Sequence, residues 1–259
     1  MDDWLRYGES FPKDGNLWVS VLIPTRGRKQ KLGQSLRSLY SRANFPDMVE
    51  YLVWVDDDDE ETLEFLTRGE GFPPMKLIVI SGPRGRGYLD LHVGLNILAS
   101  LSRGDWVFCF NDDAEMMTGG WDRAFSGQLG YEGQSECRGF GDEGFGCPDG
   151  ICMLVPHTLD RPESQEFFAV HRRVYEVLGH LAPNMGIDDW LADIVGKIGR
   201  KVRCNIEISH RDEEDLTFRE GRGSLSPKDI YELTASFRVV RDRLSDVIKL
   251  MDYIEGFGK

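Results

Sequence analysis

The sequence predicts an α/β fold: a mostly parallel sheet flanked by helices, with a C-terminal helical extension. Three observations predict it. Four β-rich, largely uncharged runs recur between Leu17 and Phe110. The segments between them carry apolar residues at helical spacing, and a last amphipathic stretch begins at Ser226. Strands that alternate with helices imply right-handed crossovers and therefore parallel neighbours.

The first run, "LWVSVLIP" (Leu17 to Pro24), stops at a proline. After "TRGR", "KQKLGQSLRSLYSR" places Leu32, Leu36, Leu39 and Tyr40 on one helical face. "VEYLVWV" (Val49 to Val55) is the second strand, followed by a short helix around Glu61 to Thr67, and "MKLIVIS" (Met75 to Ser81) is the third. Beyond the turn "GPRGRG", Tyr88, Leu91, Leu95, Leu98 and Ala99 form an apolar helical face, and "DWVFCF" is the fourth strand. The segment from Gly130 to Gly150 holds seven glycines without strand or helix period and reads as a long loop. "ICMLVP" is a strand, "EFFAVHRRVYEVLGHLAP" a strand running into a helix, "DDWLADIVGKIGR" a helix, and "KVRCNIEISH" a strand ending in His210. The terminal helix starts with Pro227 at its first position, and Ile230, Leu233, Phe237, Val240, Leu244 and Val247 form its expected core-facing stripe. No internal repeat or low-complexity linker divides the 259 residues, so one domain over 1–259 is expected.

A hydrophobic fraction of 41% describes a globular chain. The net charge of −13 and pI near 4.9 argue against general binding to a phosphate backbone, which depends on neutralisation by Lys and Arg. Five cysteines without CxxC spacing read as reduced thiols. The first residues show neither a basic region nor an apolar core of a signal peptide, and no apolar run has the length of a membrane span. A cytoplasmic protein without integral membrane association is the expectation.

Open sheets bind ligands beyond the carboxyl ends of their strands. Those ends are Pro24 to Arg28, Asp56 to Asp59, Ser81 to Arg86 and Asn111 to Asp113. The last is the sharpest feature, because an uncharged strand finishes in two adjacent carboxylates whose repulsion needs water, a cation or another partner. Hard cations such as Mg2+ and Mn2+ take one or two carboxylates together with substrate phosphates. A solvated acid turn capping the next helix is the other reading that these residues allow, and the acids after Asp56 equally suit a helix start.

In order and spacing, "LIPTRGR", "DDDDEE", "GPRGRG" and "NDD" resemble the nucleotide-sugar-binding half of the GT-A glycosyltransferases, particularly family 2, over roughly Leu17 to Phe125 and again over Ala169 to His210. The resemblance implies a GT-A, Rossmann-like fold with a nucleotide-sugar-binding half at 17–125, an acceptor-binding half at 126–215 and a helical extension at 216–259. It assigns Pro24, Thr25 and Arg26 to the nucleoside pocket, Arg28 to phosphate, and Asp56 to the edge of the base, usually uracil, where a carboxylate accepts from the pyrimidine N3–H. Arg84 and Arg86 fall near the ribose or diphosphate, where guanidinium groups bind phosphate oxygens. Asn96 matches a helix asparagine that packs and fixes a loop. Asn111, Asp112 and Asp113 match the DXD motif with asparagine in first place, so that Asn111 or Asp112 faces the ribose and Asp113 binds the metal, with His210 completing its sphere.

"MGIDDWLADIVGKIGRKV" resembles the acceptor-side motif whose second acid is the catalytic base of inverting members. That makes Asp189 the base, with Asp188 orienting it or contacting acceptor; a helix cap is the plainer role for Asp188. His171 falls in a region that can touch acceptor. Trp121 would support the DXD turn and Trp190 an acceptor sugar, although core burial suits both. The implied activity is inverting, hexosyltransferase-like transfer from a nucleotide-diphosphate sugar, a UDP-sugar foremost, to an acceptor hydroxyl with Mn2+ or Mg2+. The acceptor is a glycan, protein, small molecule or modified nucleobase, and the loop at 130–150 would order over donor or acceptor. A sugar nucleotidyltransferase and a non-catalytic nucleotide-sugar-binding protein are the alternatives. "PTRGRKQ" fits the phosphate loop of the former poorly.

Overall fold

A computed structural model of the chain describes residues 5–7, 17–69, 71–125, 147–162, 164–210, 228, 232 and 236–258. Among them, nine strands form one sheet: β1 (Leu5–Tyr7), β2 (Val19–Thr25), β3 (Val49–Asp56), β4 (Lys76–Gly82), β5 (Trp106–Cys109), β6 (Ala114–Met116), β7 (Met153–Thr158), β8 (Phe168–His171) and β9 (Lys201–His210), in the order β1-β4-β3-β2-β5-β8-β7-β9-β6. The run β4-β3-β2-β5 is parallel, as the alternation of strand and helix predicts. Antiparallel pairs extend it on both sides, β1 with β4 and β5 with β8. The sheet as a whole is therefore mixed.

Helices α1 (Lys29–Arg42) and α2 (Glu60–Arg68) cover one face. Leu32, Leu36 and Leu39 of α1 are fully buried against Val21, Ile23 and Val53, each burial contributing roughly 1.5–3 kcal/mol. Helices α3 (Leu91–Leu101), α4 (Arg172–Leu178), α5 (Ile187–Lys197) and α6 (Phe237–Gly256) cover the other face, around Leu22, Leu52 and Trp54. The Asp59 carboxylate caps α2 by accepting from the Thr62 N–H at 3.3 Å, the helix-start role that acids in this run suit.

The terminal helix departs from expectation. Its predicted start at Ser226 and Pro227, with Ile230 and Leu233, lies outside the described residues, as does most of the loop at 130–150. In α6, Val240 and Leu244 are about half exposed, while Val239, Asp246 and Leu250 are buried. The helix carries two apolar stripes, and hydrogen bonding selects between them. Asp246 accepts from the Trp190 indole N–H at 3.1 Å, and Arg243 lies over that ring at 5.2 Å, so the face bearing these polar groups docks on α5.

Candidate functional site

The chain leaves β2 for β3 on one side of the sheet and returns as β5 on the other, so the carboxyl ends of β2 and β5 flank a topological switch point. Leu22 is level with Cys109, which brings Asn111 to Asp113 level with Thr25. Contact is direct: the Thr25 hydroxyl donates to Asp112 Oδ2 at 2.6 Å. Helix α1 then fixes the acid turn from beneath. The Ser35 hydroxyl donates to the Asp112 carbonyl at 2.9 Å, and the Ser38 hydroxyl accepts from the Met116 N–H at 3.0 Å.

Arg28 supplies the cation that the two carboxylates need. Its guanidinium contacts Asp112 Oδ1 at 2.8 Å, Asp112 Oδ2 at 3.1 Å and Asp113 Oδ2 at 2.8 Å, with 15% of the side chain exposed against 1% for Asp112 and 8% for Asp113. Arg28, expected to reach phosphate, is placed here as a clamp between the two carboxylates. Asp112, expected near the ribose, is turned inward. Burial pushes its carboxyl up to about 6, with Arg28 opposing and Asp113 adding to the rise.

Asp113 and His210 come together from opposite ends of the sequence, because β6 pairs with the end of β9 in a register that sets Ala114 opposite His210. Asp113 Oδ1 lies 3.1 Å from His210 Nε2, and Glu166 Oε2 lies 3.2 Å from Nδ1. Burial alone would lower the His210 pKa, but the flanking carboxylates of Asp113 and Glu166 raise it to about 10. For Asp113, burial opposes ionisation, yet His210 and Arg28 hold its pKa below the ordinary value.

Asp113 and His210 would offer a divalent ion one carboxylate oxygen and one imidazole nitrogen, 3.1 Å apart, once the ion displaced the proton that the flanking carboxylates hold on His210. No group of three or more His, Cys, Asp or Glu among the described residues could hold a metal, so diphosphate and water would have to fill the other positions. Glu166 is the residue sequence reading missed. It belongs to no strand-end motif, and only the contact with a histidine 44 positions later in the numbering reveals it.

The surroundings of Asp56 are equally defined. Trp54 slots between Gly82 and Gly94, where an added Cβ would lie 2.2 Å and 2.9 Å from its ring, so both positions must lack a side chain. Its indole N–H donates to Asp56 Oδ1 at 3.3 Å, and Arg26 donates to Oδ2 at 3.1 Å. Pro24 immediately precedes Thr25 on β2. Arg26 also pairs with Asp58, and Arg84 contacts the same carboxylate at 3.4 Å. Arg86 pairs with Asp90 at 2.7 Å. Arg84 and Arg86 project at the end of β4 with 57% and 74% of their side chains exposed.

Ahead of α5, the Asn96 amide donates to the Ala182 carbonyl and accepts from the Leu181 N–H, both at 2.7 Å, fixing the loop that leads into that helix as expected of it. At the start of α5 the two acids diverge. Asp188 turns in towards the end of β5, where its charge acts on the Cys109 thiol, and burial followed by repulsion from Asp189 pushes it up to about 6. Asp189 is exposed and lines a cavity.

Trp121 and Trp190 are each 1% exposed, which makes them core residues and excludes Trp190 as an acceptor platform. His171 packs edge-on against Trp106 at 5.5 Å, at the amino end of β5, and stands away from the site.

The strand ends that build this site lie within one recognisable segment. Residues 20–125 match the family model described as glycosyl transferase family 2. Two of the solved structures similar to this chain share its fold. The mannosyltransferase PcManGT from Pyrobaculum calidifontis, in complex with GDP-Man and Mn2+, is 14% identical with a TM-score of 0.58, over 95% of this chain and 77% of that one. S. aureus TarS 1-349, in complex with UDP-GlcNAc, is 13% identical with a TM-score of 0.57, over 92% and 73%. The chain thus has the GT-A α/β fold, with the family 2 match confined to residues 20–125, the segment that carries Thr25, Asp56 and Asp113. No curated protein sequence matches it. No helix among the described residues is long and apolar enough to cross a membrane.

Proposed function

We propose that the protein is an inverting glycosyltransferase that moves a sugar from a nucleotide-diphosphate donor to an acceptor hydroxyl. The observation that carries this is the convergence of Thr25, Arg28, Asp112, Asp113 and His210 at the switch point, inside or paired with the segment that matches glycosyl transferase family 2.

Asp113 and His210 would hold Mn2+ or Mg2+, and a bound ion there neutralises charge on the departing diphosphate. Asp112 and Arg28 keep Asp113 oriented without themselves reaching donor. Asp56, fixed by Trp54 and Arg26, presents a carboxylate to an N–H on the base edge. Arg84 and Arg86 swing onto the diphosphate. Asp189 takes the proton from the acceptor hydroxyl as that oxygen bonds to the anomeric carbon and the bond to the diphosphate breaks on the opposite face. One displacement with one protein base gives inversion. Asp188, behind Asp189, sets its electrostatic surroundings.

The two nucleotide sugars in the neighbouring structures differ in base, and a carboxylate accepts from an N–H of either, so the test spans donors. Hydrolysis and binding of UDP-, GDP- and dTDP-sugars are measured with Mn2+, with and without chelator. Metal-dependent turnover of at least one donor is expected. No metal-dependent binding or turnover of any of them overturns the proposal.

A further inference from the structure

A cavity of about 600 Å3 opens beside Asp189, bounded by α5, by Gln165 ahead of β8, by Lys201 at the start of β9 and by Arg243 on α6. Two pairs of chain neighbours straddle its wall. Glu166 contacts His210 on the metal side while Gln165 lines the cavity, and Asp188 turns to the end of β5 while Asp189 lines the cavity. At its Gln165 and Asp189 end the cavity is therefore lined by residues whose immediate chain neighbours face His210 and the end of β5.

Its charge is unusual for a chain of net −13. Lys197 and Arg243 both pair with Asp193, the latter at 3.7 Å, so one acid serves two cations. Lys201 donates to the neutral Gln165 amide at 2.7 Å and lies along Gly196, where an added Cβ would sit 3.5 Å from its side chain. Arg243 is held over the Trp190 ring, and its Nε is buried without a hydrogen-bond partner among the described residues. Away from Asp189, three cations face a single carboxylate.

We infer that this cavity receives the acceptor and selects one that carries an anionic group, phosphate or carboxylate, on Lys197, Lys201 and Arg243 while its hydroxyl meets Asp189. The role of Asp189 rests on the glycosyl-transfer reading; the anion site does not. By helical rise, Asp189 and Lys197 are about 12 Å apart along α5. The anion is thus set apart from the reacting hydroxyl, and an extended acceptor fits better than a single small ion. A planar guanidinium beside two ammonium groups suits either oxyanion, phosphate more closely through its additional oxygens.

The test is calorimetric titration of the full chain with tripolyphosphate, trigalacturonate and neutral maltotriose, repeated on Asp113→Ala to silence the metal side. At least one anion is expected to bind tenfold or more tightly than maltotriose, in Asp113→Ala as in the wild type. Lys197→Gln with Lys201→Gln is expected to weaken it at least tenfold, and Lys197→Arg with Lys201→Arg to restore it. The better of the two anions names the oxyanion. Maltotriose binding as tightly as both anions, or anion binding indifferent to the glutamine pair, overturns the inference. If the glutamine pair fails to fold, the arginine pair decides together with salt: binding that does not weaken between 50 and 200 mM salt, roughly the range over which phosphate contacts are screened, overturns it. Anion binding without turnover of any donor would remove the glycosyl-transfer reading and leave the anion site standing. Donor turnover without anion binding would remove this inference alone.

Discussion

Replacing Arg28 by methionine keeps most of the side-chain volume and removes the charge between Asp112 and Asp113. Three contacts of 2.8–3.1 Å are lost, and they join groups of which the most exposed is Arg28 itself at 15%. Breaking one partner out of a buried ion pair costs about 3–5 kcal/mol, because the remaining charge stays buried and uncompensated. For a chain of this size each kcal/mol moves the melting temperature by about 2–4 °C, so a fall of roughly 6–20 °C is expected.

The dependence on pH follows from Asp112. Its folded pKa is already raised from 3.8 to about 6, chiefly by burial, and Arg28 is the main influence holding it down. A carboxyl whose folded pKa lies above its unfolded value penalises the fold where it is ionised. That penalty is absent below the unfolded value and complete above the folded one. Without Arg28 the folded pKa climbs further, so the variant's deficit is largest near pH 8 and narrows as the pH falls through about 6 towards 4. Thermal unfolding followed by circular dichroism at pH 5 and pH 8, in chelator, reads both effects. Adding Asp112→Asn should recover most of the loss, since an amide oxygen still accepts from Thr25. A fall below about 2 °C, an equal fall at both pH values, or no recovery with Asp112→Asn would refute the clamp; the 2 °C bound corresponds to less than about 1 kcal/mol.

Three further outcomes are expected. Asp113→Asn should abolish Mn2+-dependent binding of nucleoside diphosphate in calorimetry while leaving the unfolding transition in place, and unchanged affinity would remove Asp113 from the metal role. Glu166→Gln should bring the His210 titration down from about 10, visible in the imidazole NMR signals. A raised histidine pKa stabilises fully below the unfolded value of 6.5 and loses that stabilisation as the pH passes the folded value, so this variant's deficit should be present at pH 6 and closed by about pH 10. Asp189→Asn should stop transfer and spare donor binding, whereas Asp188→Asn, which holds that position neutral, should lower transfer at pH 8 to the level of the acid limb and flatten the fall near pH 6, where Asp188 titrates; a fall that persists in Asp188→Asn assigns it to another group.

The parallel core was legible because its strands and helices differ in hydrophobic period, and α1 occupies the span that Leu32, Leu36 and Leu39 predict. The strand-end rule then located Thr25, Asp56 and Asp113 at one edge before any contact was known. Two kinds of information were not legible. The orientation of α6 depends on which of two similar stripes finds hydrogen-bonding partners, and Asp246 with Trp190 decides that only in three dimensions. The partners of each charge were also hidden. Residue type marks Arg28 as a cation near a phosphate site, but its proximity to Asp112 is set by the level of β5 against β2. Glu166 was invisible for the same reason, since the strand that carries His210 must first be placed beside β6.

The paired arginines also bear on how an acidic protein would hold a diphosphate. Each cation at the strand ends has an internal carboxylate partner: Arg26 with Asp56 and Asp58, Arg28 with Asp112 and Asp113, Arg84 with Asp58, and Arg86 with Asp90. These pairs are not equivalent. Exposed pairs contribute about 0–1 kcal/mol, so Arg84 and Arg86 can exchange a carboxylate for a phosphate at little cost. Releasing the buried Arg28 would cost about 3–5 kcal/mol and leave Asp112 and Asp113 facing each other. The guanidinium groups released at least cost are therefore those at the end of β4, and the charge they left unmatched on a diphosphate would fall to an ion held by Asp113 and His210. On the proposed reading, a dependence on metal would follow from the fold's internal charge pairing, because Arg28 is already committed to holding Asp113 in place.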